Sequence, residues 1–250
     1  MTETPAATAA MLAIGDELLS GRTKDRNIGH LAEVLTVAGI DLKEVRIVGD
    51  EPHIIADTLN TLRREYDYVF TSGGIGPTHD DITADAVGAA FGLAVREHPE
   101  AVALLEAHYA RRDMPFTATR RRMTRTPEGA TLIENPVSVA PGFRIDNVFV
   151  MAGVPDVFSA MLGKVIETLP AGQAVKSAAV PCPYGEGDIG EPLRAIAKRH
   201  EAVAIGSYPR FDGQRYSTEI VLRSRDEAAL AAAKADVEAM LAEMAAREPD

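Results

Sequence analysis

Three short apolar runs, each followed by a segment with helical spacing, constrain the fold of this 250-residue chain more than any other feature. Ala9-Ala10-Met11-Leu12-Ala13-Ile14 is continuously apolar and closes at Gly15, the pattern of a strand buried on both faces. Ile28, Leu31, Leu35 and Ala38 then recur at helical spacing, with Asp25 placed to cap that helix and Gly39 to stop it. Residues 45–48 read as a second strand, and Pro52 opens a helix with Ile55, Leu59 and Leu62 on one side. Residues 68–71 form the third strand and 81–91 the helix after it. Strands and helices alternating at this length predict parallel strands joined by right-handed crossovers. The expected fold is therefore α/β, an open, mostly parallel sheet with helices on both faces.

Ligands in such sheets bind at the carboxyl ends of the strands, and here those ends carry acids. Asp16 and Glu17 follow the first strand, and Asp50 and Glu51 the second. The third empties into Ser72-Gly73-Gly74-Ile75-Gly76-Pro77-Thr78-His79-Asp80-Asp81-Ile82-Thr83. Gly73, Gly74 and Gly76 lack a Cβ, so their N–H groups can approach an anion, and the helix that follows adds the positive end of its dipole. Asp80 and Asp81 would repel a bare phosphate, so the combination makes chemical sense with a divalent cation between them. A plainer use exists for every one of these residues. Glycines make tight turns, and Asp81, Thr83 or the other acids cap helices. His79 is a candidate proton donor or simply a solvent-facing loop residue.

The formal charge of −11 argues against wholesale binding to nucleic acid or an anionic membrane, and no run reaches membrane-spanning length. Met1 to Thr8 lacks the basic start and apolar core of a secretory signal, so a cytoplasmic protein is expected. The single cysteine, Cys182, allows no intramolecular disulfide and reads as a buried, inert thiol. Residues 97–126 show helical patterns near 101–112 and 119–125. They carry Arg111, Arg112, Arg120, Arg121, Arg122 and Arg125, which form a solvated face or send one or two guanidinium groups to a ligand phosphate.

Residues 142–145 and 148–151 read as a hairpin across Asp146-Asn147. Asn135-Pro136, Pro141-Gly142 and Gly153-Val154-Pro155 are rigid turns that serve as punctuation or shape the far wall of a pocket. After a helix over 156–169, residues 171–173 form a linker, dividing the chain into domains at 1–173 and 174–250. The second domain reads as a βαββα unit with a turn at Asp212-Gly213. Its Gly187-Asp188-Ile189-Gly190 formally matches the GxxG of an RNA-clamping loop, but Glu186, Asp188 and Glu191 crowd it with the wrong charge. Nucleic-acid binding is not expected there; packing against the first domain or a second subunit is.

Four segments together go beyond a generic α/β pattern. They are Gly15-Asp16-Glu17-Leu18-Leu19-Ser20-Gly21 with Asp25 and Asn27 after it, Thr71 to Thr83, Asn135-Pro136 with Ala140-Pro141-Gly142, and Gly206-Ser207-Tyr208-Pro209. They resemble the competence/damage-inducible protein A family, whose N-terminal domain belongs to the molybdopterin-binding (MoaB/Mog-like) superfamily. The resemblance spans nearly the whole chain and implies that the βαββα unit is the KH-like domain these proteins carry.

It further implies that Ser72, Gly73, Gly74, Gly76, Thr78 and Thr83 bind the phosphate of a pterin or nucleotide. Asp16, Glu17, Asn27, Asn135, Pro141, Gly142 and Gly153 would complete the ligand site. Asp81 and Asp80 are the implied catalytic acids, and with Asp50 they would hold Mg²⁺ or a similar ion. Some members resemble metal-dependent pyrophosphatases acting on ADP-ribose-like substrates, and a related domain is fused to FAD synthetase. Longer members add a nicotinamide-nucleotide amidase domain; the chain stops before it, so no amidase activity is expected. The resulting expectation is a homodimer or higher homo-oligomer that hydrolyses a phosphoanhydride, with a non-catalytic carrier of molybdopterin or nucleotide as the rival. Ser138-Val139 replaces a usual Gly-Thr, and Ala152 and Asp156 replace a proline and a serine. These departures place doubt on the substrate rather than on the phosphate loop.

Overall fold

The computed structural model describes residues 6–211 and 216–247. It divides the chain into two units, residues 1–172 and 173–250. In the first, the order is β1 (Thr8–Ile14), α1 (Asp16–Leu19), α2 (Asn27–Ala38), β2 (Asp41–Val48), α3 (Pro52–Glu65), β3 (Tyr68–Ser72) and α4 (Thr83–Phe91). Then come β4 (Val95–Glu97), α5 (Pro99–Ala110), α6 (Ala118–Arg121), a 3-10 turn at Arg122–Thr124, β5 (Arg125–Pro127), β6 (Thr131–Ile133), β7 (Gly142–Ile145), β8 (Val148–Met151) and α7 (Pro155–Ile166).

The main sheet runs β2-β1-β3-β8-β7-β6. β2, β1, β3 and β8 are mutually parallel, while β7 and β6 add on antiparallel. β1 lies inside the sheet between β2 and β3, and its alternating side chains serve two cores. Ala10, Leu12 and Ile14 pack with Ile55 and Leu59 of α3 and Val87 of α4. Ala9 and Met11 pack on the opposite face with Leu31 and Leu35 of α2 and Phe158 and Met161 of α7. That is why the run is apolar at every position: there is no solvent face for a polar residue to occupy. Each fully buried leucine here is worth about 1.5–3 kcal/mol of transfer free energy.

Local signals set the boundaries. Asp25 Oδ1 accepts the Ile28 N–H at 2.8 Å at the start of α2, and Gly39 stops that helix with φ 76°. β2 is longer than expected from residues 45–48, and as an edge strand it leaves Lys43, Val45 and Ile47 exposed. Residues 97–126 are only partly helical. β4 pairs antiparallel with β5, a pairing that three-residue strands are too short to announce by alternation. α7 ends at Ile166 rather than Leu169.

The second unit runs β9 (Lys176–Cys182), α8 (Glu186–Arg199), β10 (Ala204–Phe211), β11 (Tyr216–Ser224) and α9 (Glu227–Arg247), with an antiparallel sheet in the order β10-β11-β9. Ile189, Leu193 and Ile196 of α8 and Leu230 and Val237 of α9 pack with Val180, Ile220 and Leu222 of the sheet. Gly187 to Gly190 lie inside α8, so the formal GxxG match is not a loop at all. The Asp212-Gly213 turn lies outside the described residues. Cys182 is buried and burial pushes its thiol pKa up, as an inert cysteine requires. Among the described residues no helix is long and apolar enough to cross a membrane.

Candidate functional site

The parallel strands bring residues that are far apart in sequence to one rim. Asn27 opens α2 and is buried; its Nδ2 donates to Ser72 Oγ at the end of β3 (2.7 Å) and to Gly153 O beyond β8 (2.8 Å). Gly73, with φ 110°, donates its N–H to Met151 O at 3.1 Å. A Cβ at Gly73 would strike Ile14 O of β1, and one at Gly153 would lie 3.3 Å from Gly73 Cα. Three strand ends therefore meet backbone to backbone, with no room for side chains.

From that junction the glycine loop folds over the start of α4. Gly74 has φ 67°; its carbonyl accepts the Thr83 N–H at 3.0 Å, and the buried Thr83 Oγ1 donates to Gly73 O at 3.0 Å. A Cβ on Gly74 would collide with that hydroxyl. Asp81 caps no helix N–H. Its Oδ1 accepts from Gly76 N at 2.6 Å, and its Oδ2 accepts from Thr78 N at 2.7 Å and Thr78 Oγ1 at 2.5 Å. Of the three glycines expected to cradle phosphate, two thus have their N–H committed: Gly73 to Met151 and Gly76 to Asp81. The N–H groups of Gly74 and its neighbour Ile75 find no acceptor among the described residues. Asp80 is exposed, and the Thr78 hydroxyl, whose single proton cannot serve Asp80 and Asp81 at once, its own backbone N–H and the imidazole of His79 lower its carboxyl pKa. His79 is exposed too.

The acids at the other strand ends pair with each other's backbone. Asp50 Oδ2 accepts the Asp16 N–H at 3.0 Å, and Asp16 Oδ1 accepts the Asp50 N–H at 3.3 Å. The Glu17 carboxylate lies against Gly15. Asp50, Asp80 and Asp81 are not gathered into one set: among the described residues no three His, Cys, Asp or Glu side chains come together in a way that could hold an ion. The physical reason is visible at Asp50 and Asp81, whose carboxylates are turned onto backbone N–H donors.

Across from the loop, the turn at 135–141 is organised by buried Asn135. Its Oδ1 accepts from Val137 N (3.0 Å) and Ser138 N (3.1 Å), and its Nδ2 donates to Ser138 Oγ (2.6 Å) and Ala140 O (2.7 Å). Asn135 therefore shapes the wall and has no polar atom left over to face a ligand. Val139 sits at φ 69°, in the left-handed region a β-branched residue rarely enters. Pro141 reaches the loop: with Gly74, Gly76, Asp81, Arg122 and Phe143 it lines a small hollow. Gly142 stands behind it, where a Cβ would meet Val150 O.

The arginine cluster separates into distinct roles. Arg125 makes a two-pronged bond to Asp85 (2.9 and 2.6 Å), Arg121 bonds Glu97 at 2.8 Å, and Arg120 stacks 4.3 Å over Tyr109. Among the described residues Arg122 is the one arginine of the cluster hydrogen-bonded to the glycine loop, donating from Nε to Thr78 O (3.0 Å) and from Nη2 to Asp81 O (3.1 Å), while Arg125 lines the same hollow. The sequence singled out a cluster, and nothing in its spacing distinguishes Arg122 from its neighbours. A second contact without a sequence signal lies between the helices flanking the junction, where Ser159 Oγ is 2.8 Å from His30 Nε2.

Residues 10–171 match the family described as probable molybdopterin binding domain, and residues 174–250 match the middle domain of FAD synthase. A protein of Aeropyrum pernix is 34% identical over 193 residues, covering 76% of this chain and 71% of its own length. A CinA-like protein of Desulfosudis oleivorans is 36% identical over 172 residues, covering 66% of this chain and 42% of its own. Among solved structures, a CinA protein of unknown function from Thermoplasma acidophilum aligns with TM-score 0.60 and 30% identity, over 65% of this chain and 97% of that one.

Proposed function

The chain belongs to the probable molybdopterin binding domain family, and from that premise we propose that it binds a nucleotide or pterin phosphate at the loop of residues 73–83 and hydrolyses a phosphoanhydride in an ADP-ribose-like substrate. The observation that carries this reading is the junction of Asn27, Ser72 and Gly153, which fixes the glycine loop at the carboxyl ends of three parallel strands. From there the free N–H groups of Gly74 and Ile75 and the start of α4 offer donors to a phosphate. The Arg122 guanidinium places positive charge beside them. The match of residues 174–250 to a domain of FAD synthase supports a nucleotide over a bare pterin.

The donor set fits a metal only as an ion shared with the substrate. Mg²⁺ characteristically binds through one or two carboxylates plus substrate phosphate oxygens, so it needs no cluster of three acids. Asp80, exposed and held in its ionised form, would be one ligand and Asp81 the other. Such an ion would neutralise charge developing on the anhydride. Gly74, Ile75 and Arg122 orient the phosphate, and buried Thr83 keeps the loop from shifting as it does so.

Incubation of the purified protein with ADP-ribose, FAD and ATP, each with Mg²⁺, Mn²⁺ or Co²⁺, tests the reading, with Asp81→Ala as control. Release of a nucleoside monophosphate that is lost in the variant is the expected result. Protection against thermal unfolding without turnover would instead assign a carrier of the same ligand, and neither turnover nor protection would remove both.

A further inference from the structure

The Asp81 carboxylate makes the contacts that an anionic ligand would make. Two backbone N–H groups and one hydroxyl converge on its two oxygens, at 2.6 Å from Gly76 N, 2.7 Å from Thr78 N and 2.5 Å from Thr78 Oγ1. A set of backbone donors with one hydroxyl, on a glycine-rich turn, is a general oxyanion seat. An independent feature points the same way. Arg122 grips the segment through the Thr78 and Asp81 carbonyls, yet makes no ion pair among the described residues, whereas Arg121 and Arg125 each have a carboxylate partner. A guanidinium is thus held at the edge of the seat with its charge unmatched.

We propose that Asp81 is an internal plug: its carboxylate occupies an anion seat formed by Gly76, Thr78 and the neighbouring Arg122, and a ligand phosphate enters by displacing it. Binding of the phosphate and release of Asp81 are then a single exchange. The carboxylate gives up its three donors to the phosphate and becomes available to the rest of the site. This rests on the reading that the loop receives a phosphate, and it accounts for why an acid named as a metal ligand is spent on backbone donors. Three donors favour the incoming group because a phosphate carries more charge than a carboxylate and can also use Arg122.

Because Asp81 also repels a bare phosphate, the plug is separated from simple charge removal by Asp80→Ala, which removes the same charge without freeing the Gly76 and Thr78 donors and should gain much less. Calorimetric titration with orthophosphate and pyrophosphate in EDTA, without metal, should show Asp81→Ala and Asp81→Asn binding at least about tenfold more tightly than the wild type. Adding Arg122→Ala to Asp81→Ala should reverse that gain. Equal or weaker binding by a variant that circular dichroism shows to be folded would overturn the proposal. If the variants do not fold, amide resonances of the ¹⁵N-labelled wild type decide it: phosphate should move Gly76 and Thr78, and saturation that leaves both unmoved would overturn it. AMP run in parallel separates the two readings. AMP bound equally by wild type and Asp81→Ala removes the plug and leaves the phosphate loop; AMP bound by neither removes both.

Discussion

Asn27 Nδ2 lies 2.8 Å from the carbonyl oxygen of Gly153, across 126 positions of sequence, and the same nitrogen donates to Ser72 Oγ. One buried amide thus ties the start of α2 to the ends of two strands. Replacing it by alanine leaves the buried Ser72 hydroxyl and the Gly153 carbonyl without their donor. Asn27→Ala should cost about 1–3 kcal/mol in urea unfolding and weaken nucleotide binding. Asn27→Asp should cost more at neutral pH, because it faces the Gly153 carbonyl with an acceptor in place of the donor.

Gly74 and Gly92 both adopt a left-handed backbone, with φ 67° and 66°, but only Gly74 has a neighbour in the way. Gly92→Ala should therefore show only the backbone penalty of about 1–2 kcal/mol. Gly74→Ala should add the collision with Thr83 Oγ1, giving a larger loss of stability and a loss of ligand protection in thermal melts. Equal losses for the two substitutions would show that Thr83 yields and that the loop is not rigidly seated.

Val139 holds φ 69° in the wall facing the loop. A strained residue of this kind costs about 1–3 kcal/mol, and glycine would relieve it at the expense of extra unfolded-state freedom worth about 0.5–1 kcal/mol. Val139→Gly should raise the urea midpoint, by about 1 kcal/mol in free energy. A drop would mean that packing of the valine side chain outweighs the strain.

The Asp67 carboxylate accepts from Thr8 N at 2.7 Å and Thr8 Oγ1 at 2.8 Å, and these bonds hold its pKa below the usual range. The sign follows from linkage. A depressed carboxyl pKa contributes stability that is present above the unfolded value of about 3.9 and fades as pH falls through the lower folded value. Asp67→Asn should therefore be less stable than the wild type at pH 7, with the difference narrowing on acidification below about pH 4. Unfolding curves at pH 7 and pH 3 check this, and a gap that stays constant would show that Asp67 is not the linked group.

Much of the first unit can be read from the chain because its signals are local. The unbroken run from Ala9 to Ile14, the helical spacing of Leu31 and Leu35, and the stop at Gly39 each follow from burial or dihedral preference within a few residues. β4, β5 and β6 escape because three residues give no period to detect. At the site, sequence order delivers Asp16, Asp50 and the glycine loop to one rim but does not say where a side chain turns. The Asp16–Asp50 exchange, the Asp81 bonds to Gly76 and Thr78, and the reach of Arg122 to the loop all depend on rotamers and on contacts between distant segments. Asn135 shows the same limit from the other side, its motif being visible and its four bonds within the turn not.

The bond from Gly73 N to Met151 O bears on how the protein is made. The glycine loop is contiguous in sequence, yet its first amide is anchored by a residue synthesised nearly eighty positions later, and Asn27 waits for Gly153. On the ribosome β1, β2 and β3 can pair early, because their contacts are comparatively local. The rim cannot close until β8 has emerged and inserted beside β3. A nascent chain that has not yet extruded residue 153 would hold a sheet without a working mouth, so acquisition of ligand binding during synthesis would mark completion of the sheet rather than the appearance of the motif.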